Sequence, residues 1–225
     1  MPMGRCGYRD FVIKRFKAVK LFFIIFYTAG VVGLVWPFTF PLFLQLTPLA
    51  LLLSFIALVL FHPAGIDKKT VAVFLGIYAV SFIIEAVGVN THLIFGPYGY
   101  GQSLGYKLFG TPVIIGLNWL LLVYTTASVA AKTAKTASVR IVLAAMMMVL
   151  YDLILEPVAP QIDMWYWQQD LIPFQNYAAW FVIALFFHYI MYVFGIRTDN
   201  RLAPVILVCQ SMFFLSIGIL LQIFP

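Results

Sequence analysis

Asp152 and Glu156 stand four residues apart in LYDLILEPVAP, residues 150–160, a spacing that places both carboxyls on one face of a helix. The stretch follows IVLAAMMMV, so an apolar run ends on two acids. A third acid, Glu85, lies inside SFIIEAVGV. An acid at the centre of a membrane helix costs about 2.5–3.5 kcal/mol on insertion scales, and ionisable groups kept there mark sites. The competing reading, carboxyls solvated at the interface or bonded to helix ends, fits Glu156 and fits Glu85 and Asp152 less well. A carboxyl shut away from water and cations holds its proton, and beside an ionised carboxylate it makes an acid–base pair. Proton donation is the chemistry these residues suit.

Their neighbours extend that chemistry. Asn118 in GLNWLL and Asn176 in FQNYAAW could orient a water or a carboxyl, or equally bond helix to helix. Trp36, Trp119, Trp165, Trp167 and Trp180 all map to one half of the expected membrane layer, where an aromatic belt would mark both interfaces. Tyr98, Tyr100, Tyr124, Tyr151 and Tyr177 fall near them. A desolvated aromatic face stabilises a cation by about 2 kcal/mol. Acids and π-faces in one layer suit protonation of an alkene and sheltering of the carbocation. Asp152 or Glu85 would donate the proton, and Glu156 with Asn118 would position and deprotonate a water. Asp152 is the expected donor, one turn deeper than Glu156, which lies at the helix end beside Pro157 and closer to water. Gln161 and Asp163 add water-holding polarity, and His92 lies in the same outer stretch. His188, in ALFFHYI, reads as a packed neutral histidine. No histidine or acid spacing suggests a metal, and no metal site is expected. The glycines of GPYGYG lack the strand-to-helix setting of a phosphate loop.

The elements that must position these residues follow from composition. Of 225 residues, 64% are hydrophobic and 10% charged, and the mean hydropathy is +1.01. A soluble domain carries about a quarter charged residues. The expectation is an all-α integral membrane protein, a single domain over 1–225. Seven transmembrane helices are expected at about 17–36, 42–61, 71–89, 112–131, 139–157, 177–196 and 203–224. Pro112 and Pro204 suit first turns, Pro48 would kink the second span, and Pro157 ends the fifth. The basic N-terminus followed by an apolar run reads as an uncleaved first helix. With the N-terminus inside, Arg5, Arg9, Lys14, Arg15, Lys17, Lys20, Lys68, Lys69, Lys132, Lys135, Arg140, Arg197 and Arg201 share one side, and Lys107 alone takes the other. That bias explains the net charge of +6 as topology, with no nucleic-acid partner, and puts the C-terminal QIFP outside. Cys6 and Cys209 are far apart and read as unremarkable thiols. The connections 90–111 and 158–176 are long, aromatic and on the outer side, and are expected to fold back as re-entrant or interfacial pieces.

Two blocks carry a resemblance. EAVGVNTHLIFGPYGYGQSLGYKLFGTPVIIGLNWLLLVY and YDLILEPVAPQIDMWYW…IPFQNYAAWF together span most of 85–181. They resemble the signatures of the membrane carotenoid biosynthesis family, which includes carotenoid end-group hydratases of the bisanhydrobacterioruberin hydratase type. The resemblance implies addition of water across the terminal double bond of an acyclic carotenoid end group, giving a tertiary alcohol, with no cofactor. It implies a carotenoid substrate, a multi-pass place in the cell's inner (plasma) membrane, and other carotenoid-pathway enzymes or a second copy as partners. A lycopene-type end-group cyclase shares the protonation step. A non-enzymatic seven-helix transporter or carotenoid-binding protein is the alternative of another class. A retinal protein is disfavoured because APVILVCQSMFFLSIGILLQIF offers no lysine for a Schiff base.

Overall fold

The computed structural model describes residues 5–63, 65–168 and 171–223, and side chains within them from Lys14 onward. The side chains of Arg5, Cys6 and Arg9, and residue 224 of the expected last span with the final proline, lie outside the described residues.

Helices dominate. The first, α1 (Arg5–Val35), has its apolar portion at Lys14–Val35 and stops ahead of Pro37. The expected second span is divided into α2 (Phe40–Gln45) and α3 (Thr47–Leu60), each with a proline in its first turn. Pro48 therefore breaks the helix where a kink was expected. Its ring has no N–H to give and crowds the carbonyl four residues back, so it is accommodated only by starting a new helix. Fourteen residues rise about 21 Å, short of a hydrocarbon core of about 30 Å. α4 (Lys68–Thr91) is capped by the Asp67 carboxylate, which accepts from Thr70 N at 2.8 Å, and ends at His92 with φ 60°.

The chain continues through α5 (Ile115–Thr133), α6 (Ala137–Leu155), α7 (Phe174–Val193) and α8 (Ala203–Ile223). α6 closes just before Glu156 and Pro157, and Pro204 sits in the first turn of α8, both as the sequence suggests. Among the described residues five helices are long and apolar enough to cross a membrane: α1 from Lys14, α4, α6, α7 and α8. α5 is different. It is the bundle's centre, packed by α3, α4, α6, α7 and α8, with Trp119, Leu121, Leu122 and Val123 fully buried. A helix sheathed by protein need not be apolar to lipid. Thr125 and Thr126 return their hydroxyls to the carbonyls of Leu121 and Leu122, and Ser128 donates to the Asn200 carbonyl at 3.1 Å.

Four short strands cap one end of the bundle. β1 (Tyr98–Tyr100) pairs antiparallel with β4 (Trp165–Trp167), in the register Tyr98–Trp167, Gly99–Tyr166 and Tyr100–Trp165. β2 (Lys107–Leu108) pairs with β3 (Thr111–Pro112) around Phe109 and Gly110, both at positive φ. The two outer connections thus fold back over the bundle as paired strands, where re-entrant or interfacial pieces were expected. Pro112 belongs to β3, so α5 starts three residues later than the expected span. Gly101 allows the pairing: a Cβ there would strike the backbone of Asp163. Asp163 clamps the two connections, its carboxylate accepting from Gln102 N at 2.9 Å and its carbonyl from the Ser103 hydroxyl at 2.9 Å.

The opposite end is held by Asn200. Its amide donates to the Leu58 carbonyl at 2.9 Å and the Tyr124 hydroxyl at 3.3 Å, and its Oδ1 accepts from Leu202 N at 2.9 Å. His62 Nδ1 lies 2.8 Å from the same Tyr124 hydroxyl. Burial lowers the His62 pKa below its ordinary value, which favours the neutral imidazole there. Asn200→Leu is expected to strand the Leu58 carbonyl and Leu202 N–H and to destabilise the detergent-solubilised protein by about 1–3 kcal/mol. The check is the unfolding midpoint against the parent, and an unchanged midpoint would remove this network as the pin of that end.

Candidate active site

The strand-capped end gathers the three acids. Glu85 comes from α4, Asp152 from the last turn of α6, and Glu156 from the residue that caps α6. Their exposures are 3%, 0% and 3%. Each is supplied with neutral donors. Glu85 Oε2 accepts from the Tyr98 hydroxyl at 2.5 Å and the Tyr100 hydroxyl at 2.7 Å, and its Oε1 from the Trp119 indole N–H at 2.8 Å. Glu156 Oε2 accepts from the indoles of Trp165 at 3.1 Å and Trp167 at 2.7 Å. The Asn176 amide bridges Asp152 and Glu156, donating to Asp152 Oδ2 at 2.9 Å and Glu156 Oε1 at 3.3 Å. Asp152 Oδ1 is buried without a hydrogen-bond partner.

Local structure explains the supply. Residues alternate faces along a strand, so YGY and WYW each turn two rings inward and one residue out. Tyr98, Tyr100, Trp165 and Trp167 are buried, and Tyr166 is exposed. Burial first, and the Glu85 carboxyl second, pushes both inward phenols well above the ordinary tyrosine range, so they remain neutral donors. Lys107 is spent on the backbone: its Nζ donates to the Tyr100 carbonyl at 2.6 Å.

Between the acids lies a cavity of about 20 Å³, room for about one water. Glu85, Glu156, Asn118 and Asn176 supply its polar wall. Tyr98, Tyr100, Trp165, Trp167 and Trp180 supply aromatic wall, with Phe95 and Ile115 completing it. Trp180 stacks on Trp119 with centroids 4.3 Å apart. Room for one water, two carboxyls and π-surface thus meet at one point. Among the described residues, no three His, Cys, Asp or Glu side chains are grouped to hold a metal ion.

Most of the residues singled out in the sequence are brought together, and several are not. Asp152 does not reach the cavity wall; it stands behind Glu156, joined to it through Asn176. Glu156, expected nearer water at the helix end, is covered by the two β4 tryptophans. Tyr124 turns to His62 and Asn200 at the far end. Tyr151 packs edge-on against Phe214 of α8, 5.9 Å between centroids, and Tyr177 is half-buried outside the cavity wall. His92 is exposed and serves as the left-handed cap of α4. Gln161 is exposed and bonds the Pro157 carbonyl, and Asp163 holds loops together. Trp36 stands exposed at the end of α1. His188 is buried within reach of the Thr126 hydroxyl at 3.3 Å, as a packed histidine would be. Phe95 and Ile115 were not singled out; an isolated apolar residue carries no signal that it lines a site. The tryptophans also do more than offer faces, since three of them direct their N–H at an acid.

Comparison with known proteins adds a second line of observation. Bisanhydrobacterioruberin hydratase of Haloarcula japonica is 31% identical over 157 residues, which cover 63% of this chain and 53% of that protein. The chain therefore spans about half the length of that curated relative. No solved structure matches the chain. A family model described as "Carotenoid biosynthesis protein" matches residues 46–224, from the start of α3 through α8, and on that match the chain belongs to the carotenoid biosynthesis protein family.

Proposed function

We propose that this protein is a carotenoid hydratase that adds water across the terminal C=C of an acyclic carotenoid end group. The observation that carries the reading is a one-water cavity walled by two carboxyls, two amides and indole faces, with a third carboxyl behind it. The likeness to a protein named as a hydratase supports it.

The steps balance without an outside reagent. Asp152 and Glu156, held by one amide, share a proton, since like charges this close do not both ionise. Glu156 faces the cavity and delivers it to the less substituted alkene carbon. The π pair moves to the new C–H bond, leaving a tertiary cation on the other carbon. Indole faces and the Glu85 carboxylate stabilise that cation. The water, oriented by Asn118, forms the C–O bond and gives its surplus proton to Glu85. A protonated tertiary alcohol is a strong acid, so a carboxylate already accepting three hydrogen bonds is base enough. No cofactor takes part.

The same reading assigns seven passes: α1, α2 with α3, α4, α5, α6, α7 and α8. The thirteen-to-one bias of Lys and Arg supports an orientation with the N-terminus inside and the strand-capped site and C-terminus outside, and the plasma membrane is the membrane of this reading. A polyene about as long as the hydrocarbon core is thick brings its end group to that depth, where water is at hand. Other pathway enzymes or a second copy are the protein partners of this reading.

Membranes containing the protein, incubated with an acyclic-ended carotenoid in H2(18)O, are expected to yield a product heavier by one labelled water. An isomer of unchanged mass would instead identify a cyclase, and no product from several such carotenoids would sink the enzyme reading. Glu85→Gln, Asp152→Asn and Glu156→Gln are each expected to slow conversion by about 10²–10⁴-fold, with gel-filtration elution unchanged. Full activity in all three would place the chemistry elsewhere.

A further inference from the structure

The seams around the cavity differ in how they are closed. Gly116 lets α5 lie against the backbone of Tyr78 on α4, where a Cβ would collide. The Asn176–Asp152 bond ties α7 to α6. The β1–β4 pair covers the end. By contrast, α4 and α7 touch each other sparingly.

What fills the gap between them is the segment 92–97, HLIFGP. Gln175, in the first turn of α7, holds it by donating to the carbonyls of Leu93 and of Ile94, the latter at 3.2 Å. Gly96, at φ 105°, turns the segment against Pro173. Phe95 points inward, buried, over Gly88 of α4, where any Cβ would overlap its ring. The same ring lines the cavity. Outside, Leu93 is 78% exposed and Phe174, the first residue of α7, 83%. Two large apolar side chains so bare flank the gap and suit contact with acyl chains.

We infer that the gap between α4 and α7 is the portal by which the polyene of the substrate enters sideways from the bilayer, with segment 92–97 as its gate and Phe95 as its plug. This rests on the carotenoid substrate of the proposed function and is independent of the hydration step. A cavity with room for about one water admits no isoprenoid end until something leaves. Phe95 is the apolar wall residue carried on a strap rather than on a helix or the strand pair; the strap is tied to α7 by the Gln175 amide and at its far end by Gln168 N, which donates to the Pro97 carbonyl at 3.1 Å. Lateral entry also keeps the polyene in hydrocarbon, whereas a route over the strands would wet it along its length.

The test bridges the strap to α7. Leu93→Cys and Gln175→Cys, in a chain carrying Cys6→Ser and Cys209→Ser, are joined with a bifunctional methanethiosulfonate and released with thiol. Loading is read as quenching of the cavity tryptophans by an acyclic-ended polyene in vesicles, a signal that needs no turnover. The unbridged protein is expected to quench, the bridged protein to quench at least tenfold more slowly, and reduction to restore the rate. Equal rates with and without the bridge would overturn the portal, and absence of quenching in the unbridged protein would overturn the polyene as its occupant. Phe95→Ala, with the plug cut away, is expected to load at least threefold faster, and an unchanged rate would overturn Phe95 in that role. Product mass, read on the same samples, separates the two claims: quenching without an added water leaves the portal standing and removes the hydratase.

Discussion

Three carboxyls kept dry, with no cation bonded to them among the described residues, are the constraint on which this end of the molecule depends. A buried acid must be given donors, or its desolvation is uncompensated. The protein meets this with neutral groups: two phenols and an indole for Glu85, two indoles for Glu156, and one amide shared between Glu156 and Asp152. Lys107, the basic residue closest in sequence to these groups, is engaged by the Tyr100 carbonyl. Neutral donors hold the acids in place without committing them to the charged form, which a paired lysine or arginine would do. That choice leaves a proton free to move among them.

The donor requirement also accounts for the strands. A helix presents neighbouring inward residues three or four apart, on successive turns. A strand presents them every second residue, so three residues bring two rings to one carboxylate. Tyr98 and Tyr100 converge on a single oxygen of Glu85, and Trp165 and Trp167 on a single oxygen of Glu156. Pairing β1 with β4 then fixes α4's acid against α6's acid through their own donors. Asp163 and Gly101 maintain that pairing from outside. At the other end Asn200 does comparable work for α3, α5 and α8. The central α5 is thus held by buried polar bonds, and its polar side chains from Asn118 to Ser128 face protein.

Much of this was legible in the sequence, for reasons that differ residue by residue. Long apolar runs betray helices whatever they pack against, so α1, α4, α6, α7 and α8 lie near their expected positions. Acids in such runs are anomalous by type alone, so Glu85, Asp152 and Glu156 could be found without knowing their partners. The strands could not be found from hydropathy, because three residues carry too little apolar signal. Their trace was the alternation in YGY and WYW, legible only once period two is considered. Depth along a helix was also legible, but direction around it was not. That is why Tyr151, at the height of Asp152, faces α8 instead of the acids, whereas Tyr124 lies with the Asn200 network at the far end. Asp152 is the deeper of its pair, as its place in the helix suggested, but Glu156 is buried too, because distance from a helix end measures access to water only when nothing folds over that end.

A dry site suits the proposed reaction in a further respect. Hydration of an alkene takes up one proton at carbon and releases one from water, so no net proton crosses the site boundary. An enzyme that consumed or produced protons would need a conduit to bulk water, and a lid of tryptophans would obstruct it. In the proposed mechanism a proton released to Glu85 would have only to return to the Asp152–Glu156 pair across the same small cavity, through water or through the Tyr98 hydroxyl that touches Glu85. On that reading the tryptophan lid can remain shut throughout, and substrate and product pass by the inferred portal between α4 and α7. Exclusion of bulk water also protects the pathway: a cation met by one oriented water has one fate, whereas excess base around it would draw a proton from the adjacent carbon and return an alkene. In the proposed reaction, the arrangement that makes the acids expensive to bury is therefore the same one that would direct the cation to an alcohol.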